Sequence, residues 1–214
     1  MKIDHIYQLF QQSSGVCTDT RSLVKNQLFF ALKGPSFNGD DFALEAIKSG
    51  ASYAIVSERY KDKNDKIIPV SDPLKTLQDL ARFHRDQFEI PVIGLTGSNG
   101  KTTTKELINA VLSSEYETLC TQGNLNNHIG VPLTLLRLQP SHEIAIIEMG
   151  ANHQGEIAEL CRIANPNLGL ITNFGKAHLE GFGGIGGVIK GSSHRHRRWL
   201  PSKRTRTAEQ PLGC

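Results

Sequence analysis

The spacing of apolar side chains divides the chain into two textures. In residues 4–13, Ile6, Leu9 and Phe10 recur at helical intervals, which predicts a short amphipathic helix. Residues 16–21 and 27–33 read as short strands. The run Leu28, Phe29, Phe30, Ala31, Leu32 is stopped by Gly34-Pro35. Residues 40–50 predict a helix capped at its start by Asp40 or Asp41 and ended by Gly50. Two strand-like runs follow at 52–57 and 66–71. A longer helix over 72–88 places Leu74, Leu77, Leu80, Ala81, Phe83 and His84 near one face. After Pro91 the pattern becomes a regular alternation. Strands at 91–95, 116–120, 142–150 and 167–173 alternate with helices at 101–114, 131–138 and 154–164. Apolar strands alternating with helices predict a mainly parallel sheet covered on both faces. The fold class expected is therefore α/β, with a small α/β first domain over residues 1–89 and a second domain from residue 90.

Composition adds limits. The 214 residues are 38% hydrophobic and 21% charged, as in an ordinary soluble globular protein. No apolar run approaches the roughly 20 residues of a spanning helix, and the N-terminus lacks the apolar segment of a secretory signal. Neither membrane insertion nor export is expected. Cys17, Cys120, Cys161 and Cys214 are widely separated and form no CxxC pair. Reduced thiols in a cytoplasmic protein are the plain expectation.

The formal charge of +3 is unevenly placed. Residues 191–214 hold six Lys and Arg against one acid, Glu209, while the other 190 residues carry 18 bases and 20 acids. This basic stretch, with Trp199 inside it, shows no helical or strand period and is expected to be a disordered tail. A basic run with one aromatic is compatible with nucleic-acid binding. No recognition fold accompanies it, so no nucleic-acid partner is expected.

The chemistry concentrates where a strand runs into a helix. Gly94-Leu95-Thr96-Gly97-Ser98-Asn99-Gly100-Lys101-Thr102-Thr103 lies at that junction. Glycines let backbone N–H groups turn around phosphate oxygens, and the helix N-terminus adds partial positive charge. Lys101 suits the β- and γ-phosphates of ATP, and the Thr102 hydroxyl suits Mg²⁺. The longer consensus wants glycine where Leu95 stands, so the match is to the shorter GxxGKT from Gly97. A second glycine pattern, GxGxxG at 181–186, lacks the preceding strand of a dinucleotide fingerprint. Glu148 and Asn173 end successive apolar strands, and His178 follows. Open α/β sheets bind ligands outside the carboxyl ends of their strands, so a carboxylate there faces the phosphates and suits Mg²⁺.

In order along the chain, the segments 94–106, 123–138, 146–157 and 171–183 resemble the Mur ligases. They are most similar to the branch that joins D-Ala-D-Ala to UDP-MurNAc-tripeptide. Residues 17–21 and 28–42 are similar to the first domain of those enzymes, and the resemblance covers about residues 1–190. It implies a cytoplasmic, ATP- and Mg²⁺-dependent ligase of peptidoglycan precursor synthesis acting through an acyl phosphate. Lys101, Glu148 and His178 would be catalytic, with Thr102 and Glu148 on one Mg²⁺ and Glu148 and His178 on a second. Gly97, Ser98, Asn99, Gly100, Lys101, Thr102, Thr103 and Asn173 would bind the nucleotide. Asp19, Thr20, Arg21 and Lys33 resemble a UDP-sugar site, Arg21 and Lys33 suiting a diphosphate. Asn124, Asn126 and Asn127 would line the path between substrate and ATP, or simply form turns. His153 either faces the site or caps the following helix. A monomer is expected.

The resemblance fades after residue 183. The position of a carbamylated, magnesium-bridging lysine of the family falls on Ser192, two residues beyond Lys190. Gly186 and Gly187 weaken the helix expected there by roughly 1 kcal/mol each. The expectation is an ATPase domain incomplete at residue 190, a non-family tail over 191–214, and little turnover by this chain itself. A non-catalytic UDP- or ATP-binding fragment, or another Mur-type ligase, are the alternatives.

Overall fold

The computed structural model describes residues 2–62, 64–173 and 199–201. Two compact units divide between Glu89 and Ile90, with residues 132–138 grouped with the first. No described helix is long and apolar enough to cross a membrane.

The first unit opens with α1 (Ile3–Gln11), which buries Ile6 and Phe10. Its sheet is wholly parallel, in the order β1 (Val16–Cys17), β2 (Leu28–Phe30), β3 (Tyr53–Ser57), β4 (Ile67–Val70). The predicted strand over 16–21 is cut short by a 3-10 turn at Thr20–Ser22, because the Asp19 carboxylate accepts the Arg21 N–H and bends the chain. Helix α2 (Ala43–Lys48) packs Ala43 and Ala46 against Phe29, Ala54 and Val56. Neither Asp40 nor Asp41 caps it. A 3-10 turn, Gly39–Phe42, precedes α2, and the residue at its N-cap position is Phe42. The buried Asp40 carboxylate instead accepts from the Ser57 N–H at 3.0 Å and the Ser57 hydroxyl at 2.5 Å, so a tertiary partner displaces the local one. Helix α3 (Pro73–Arg85) begins as its sequence dictates: Pro73 sits in the first turn, and Asp72 accepts from the N–H groups of Leu74 and Lys75.

An aromatic cluster joins α1 to α3. His84 lies among Tyr7, Phe10 and Phe88, with ring centroids 5.0–5.8 Å apart. Its Nε2 is 3.0 Å from the Leu138 carbonyl, which can only accept, so Nε2 carries the proton. Nδ1 then accepts from the Tyr7 hydroxyl at 3.3 Å. Burial lowers the His84 pKa, and the Leu138 bond opposes that only in part. A depressed base means the unfolded chain takes up a proton that the folded one refuses. Stability attributable to His84 is therefore full above the ordinary histidine pKa of about 6.5 and is lost as pH falls below it. The slope approaches about 1.4 kcal/mol per pH unit. Urea unfolding at pH 5.5 and 7.5 should show this decline in the wild type and a smaller one in His84→Leu. Equal declines would contradict it.

The second unit carries a parallel sheet in the order β6 (Thr118–Cys120), β7 (Ile144–Glu148), β5 (Val92–Thr96), β8 (Leu168–Ile171), β9 (Trp199–Pro201). Helices α4 (Lys101–Leu112) and α6 (Glu156–Ala164) belong to this unit, while α5 (Gly130–Leu135), between β6 and β7 in the chain, runs into the stretch grouped with the first. β5 is central, flanked by β7 and β8, with Leu95 opposite Glu148 and Thr96 opposite Ile171. The chain thus reverses direction across the sheet at β5, where open α/β sheets form their crevice. Cys161 of α6 is buried, and burial pushes its thiol up to about 12.

The tail differs from its sequence reading at one place. Trp199–Pro201 pairs in parallel with β8, Gly169 opposite Trp199. Strand pairing uses backbone groups, so an edge such as β8 can order a segment with no alternation of its own. The glycine pattern at 181–186, Lys190 and Ser192 lie outside the described residues.

Candidate functional site

The loop between β5 and α4 has the conformation its glycines permit. Gly97 has φ +138°, and a Cβ there would fall 2.1 Å from the Thr172 Oγ1. Gly100 has φ +74° and precedes Lys101 as the N-cap without a side-chain cap. The first-turn N–H groups of α4 consequently lack intrahelical acceptors and point at whatever anion occupies the loop.

Two strand ends hold this loop. From β8, Asn173 accepts the Ser98 N–H through its carbonyl at 3.1 Å and the Asn99 N–H through Oδ1 at 3.1 Å. Its Nδ2 donates to the Asn99 carbonyl at 3.0 Å, and the Thr172 hydroxyl donates there at 2.7 Å. The backbone N–H groups of Ser98 and Asn99 are therefore engaged by Asn173. Those of Gly100, Lys101, Thr102 and Thr103 face the opening of the helix. Lys101 lies back over the loop, its ammonium 2.7 Å from the Gly97 carbonyl and 3.4 Å from that of Ser98.

Glu148 supplies the second strand end. It is 1% exposed. Its Oε1 accepts from Asn126 Nδ2 at 2.8 Å and from the Thr102 hydroxyl at 3.3 Å. Its Oε2 is buried and has no hydrogen-bond partner among the described residues. A buried carboxylate oxygen with no donor is costly, and a cation would satisfy it. The donor set, one carboxylate and one hydroxyl beside a phosphate loop, suits Mg²⁺, which takes few protein ligands and completes its shell with phosphate and water. Among the described residues no group of three His, Cys, Asp or Glu side chains converges.

The three asparagines of the 123–128 loop separate by role. Asn126 reaches Glu148. Asn127 accepts the Ile129 and Gly130 N–H groups at 3.0 and 2.9 Å and so caps the start of α5. Asn124 is exposed. A cavity of about 210 Å³ beside Lys101 is lined by Asn126, Asn127, His128, Asn152, Glu156 and Glu159 among others. His128, Asn152, Glu156 and Glu159 carry no sequence signal that separates them from ordinary solvent-facing side chains. His153 is exposed, with Nδ1 3.2 Å from Glu156 Oε1. Burial raises the Glu156 pKa, but the N–H groups of Asn152 and His153 and the His153 ring outweigh it and leave the carboxyl below its ordinary value. His178 lies outside the described residues.

The first unit has its own cavity, about 530 Å³, lined by Thr18, Asp19, Thr20, Arg21, Phe37 and Phe42 among others. Arg21 is 88% exposed and bound to Asp19 at 2.6 Å. Hydrogen bonding from Arg21 holds the Asp19 carboxyl at about 2. Lys33 is exposed, stands at an isolated bridge to Asn38, and does not line this cavity.

Known proteins share both halves of this arrangement. The family model described as Mur ligase middle domain matches residues 95–194, four residues beyond the expected limit of the family-like sequence. That of Mur ligase family, catalytic domain, matches residues 12–85. The UDP-N-acetylmuramoyl-tripeptide–D-alanyl-D-alanine ligase of Bacillus subtilis (strain 168) is 44% identical over 178 residues, covering 82% of this chain and 39% of that protein. The ligase of the same name from Escherichia coli (strain K12) is 48% identical over 175 residues, covering 82% and 38%. Among solved structures, MurF from Acinetobacter baumannii superposes with a TM-score of 0.79 at 40% identity, over 86% of this chain and 44% of that one. MurF ligase from Thermotoga maritima in complex with ADP does so with a TM-score of 0.78 at 36% identity, over 90% and 43%. The chain thus spans well under half the length of the relatives it matches.

Proposed function

The chain belongs to the Mur ligase family, and from that premise we propose that it serves the ATP-dependent joining of D-Ala-D-Ala to UDP-MurNAc-tripeptide in cytoplasmic peptidoglycan precursor synthesis. The observation that carries the proposal is the Oε2 of Glu148, buried at the carboxyl end of β7 without a partner among the described residues, with Thr102 against the other oxygen.

In this reading ATP phosphates rest on the first-turn N–H groups of α4. Lys101 turns its ammonium from the Gly97 carbonyl toward the β- and γ-phosphates. Thr102 and Glu148 would hold Mg²⁺, which when bound neutralises phosphate charge while a carboxylate approaches. Asn126 fixes Glu148, and Asn173 fixes the loop, so neither needs to reorganise as charge moves. The terminal carboxylate of the tripeptide attacks the γ-phosphorus and releases ADP. The D-Ala-D-Ala amine then attacks the acyl carbon, and the tetrahedral adduct expels phosphate to leave an amide. In the first unit, Phe37 and Phe42 offer apolar faces to a uracil ring, and Arg21 a guanidinium to the diphosphate once it leaves Asp19.

Whatever phosphate this chain releases from ATP should require both UDP-MurNAc-tripeptide and D-Ala-D-Ala. A second reading, nucleotide binding without turnover, draws on the phosphate loop alone, with Gly97 and Gly100 at positive φ and Lys101 lying over it. Tight Mg²⁺–ADP binding with no release under any substrate combination would favour it. Release with ATP alone would contradict the ligase.

A further inference from the structure

We propose that Lys105 is a positioning residue for the magnesium-binding carboxylate. It acts through Thr121 on the backbone of Glu148. The inference rests on the reading of Glu148 given above and assigns a residue that reading leaves out.

Lys105 lies one turn beyond Lys101 on α4, on the same helix face by spacing, yet is 0% exposed. A lysine is almost never so buried unless its charge is compensated. Its ammonium donates to the Thr121 carbonyl at 2.6 Å and pairs with Glu106 Oε1 at 2.8 Å. Thr121, itself 1% exposed, lies just past β6. Its N–H donates to the Ile146 carbonyl at 3.0 Å, and its hydroxyl oxygen accepts the Glu148 N–H at 3.0 Å. The chain of contacts is thus Lys105 ammonium, Thr121 backbone, Thr121 hydroxyl, Glu148 backbone.

Each link does something an apolar residue would not. Glu148 ends β7 and so sits at the edge of its ladder; the Thr121 hydroxyl supplies the acceptor that holds its amide in place. Thr121 follows the last residue of β6, and the Lys105 ammonium anchors its carbonyl to the helix that opens with the phosphate loop. The magnesium-facing carboxylate and the phosphate-facing helix are therefore tied by a buried charge-assisted bond. Core stability alone does not explain the lysine, since well-packed apolar residues commonly replace buried charges without loss. A fixed distance between two charged groups does explain it.

Mn²⁺ binding in the presence of ADP, followed by electron paramagnetic resonance of the full chain, tests the proposal without turnover. Lys105→Met keeps the stem and removes the ammonium. It should weaken Mn²⁺ affinity about tenfold or more while metal-free ADP affinity stays at the wild-type value. Thr121→Val breaks the next link and should do the same. The double variant should be no worse than the weaker single one, as expected of a shared path. Wild-type Mn²⁺ affinity in folded Lys105→Met, or fully additive losses, would overturn the proposal. Should Lys105→Met fail to fold, Thr121→Val decides: loss of Mn²⁺ affinity supports the path and wild-type affinity refutes it. Glu148→Gln separates the two levels. If it too binds Mn²⁺ normally, the metal assignment of Glu148 fails and the role of Lys105 with it. If only Glu148→Gln responds, the metal assignment stands and the role of Lys105 falls.

Discussion

Lys101→Ala is expected to weaken ATP and ADP binding by roughly 10- to 150-fold, with the fold retained. The ammonium already lies over the loop, on the carbonyls of Gly97 and Ser98, so it needs only a short movement to reach a phosphate. A charge-assisted bond to such a group is worth about 1.5–3 kcal/mol, which converts to that range. Alanine is the best helix former, and Lys101 is not part of the buried core, so α4 should persist. Lys101→Arg should fall between the two, because a planar guanidinium does not reproduce a compact ammonium. Calorimetric titration with ADP measures all three proteins. Wild-type affinity in Lys101→Ala would remove the phosphate loop from the account.

Glu148→Gln should separate stability from function. Without metal, the wild type holds a buried carboxylate with one oxygen unpartnered. The glutamine carbonyl can still accept from Asn126 and Thr102, and the change removes a desolvated charge. The metal-free variant should therefore be neutral to about 2 kcal/mol more stable, the unpartnered amide offsetting part of the gain. Its response to Mg²⁺ should disappear, because the neutral amide is a poor ligand for a hard cation. Thermal unfolding with and without Mg²⁺–ADP reads both effects. A variant clearly less stable than the wild type without metal would show that Glu148 serves chiefly as a structural anchor.

The parts of the site legible from residues alone are those fixed by local chemistry. Gly97, Gly100, Lys101 and Thr102 are contiguous, and the strand before them and the helix after them follow from apolar spacing. Glu148 was visible as a polar residue ending an apolar strand. The asparagines were not resolvable. Asn124, Asn126 and Asn127 share one chemistry within four positions, and only the path of the loop sends one to Glu148, one to the cap of α5 and one to solvent. Asn173 faces the phosphate loop, and its side chain and carbonyl are engaged by Ser98 and Asn99, which makes it a clamp on the loop. Asp40 and Arg21 are engaged by partners that spacing does not reveal: the Ser57 N–H and hydroxyl donate to Asp40, and the Asp19 carboxylate holds Arg21. Lys105 looks like any helical surface lysine until the sheet closes over it. Hydrophobic period locates elements, but a polar side chain's partner depends on which strand ends meet, and that is set by the strand order.

In the proposed function, Glu148 couples metal to nucleotide. This coupling is tested most directly by titrating ADP into the wild type and Glu148→Gln, each with and without Mg²⁺. Mg²⁺ should raise the ADP affinity of the wild type at least about tenfold and leave that of Glu148→Gln unchanged. An equal Mg²⁺ enhancement in both proteins would contradict it.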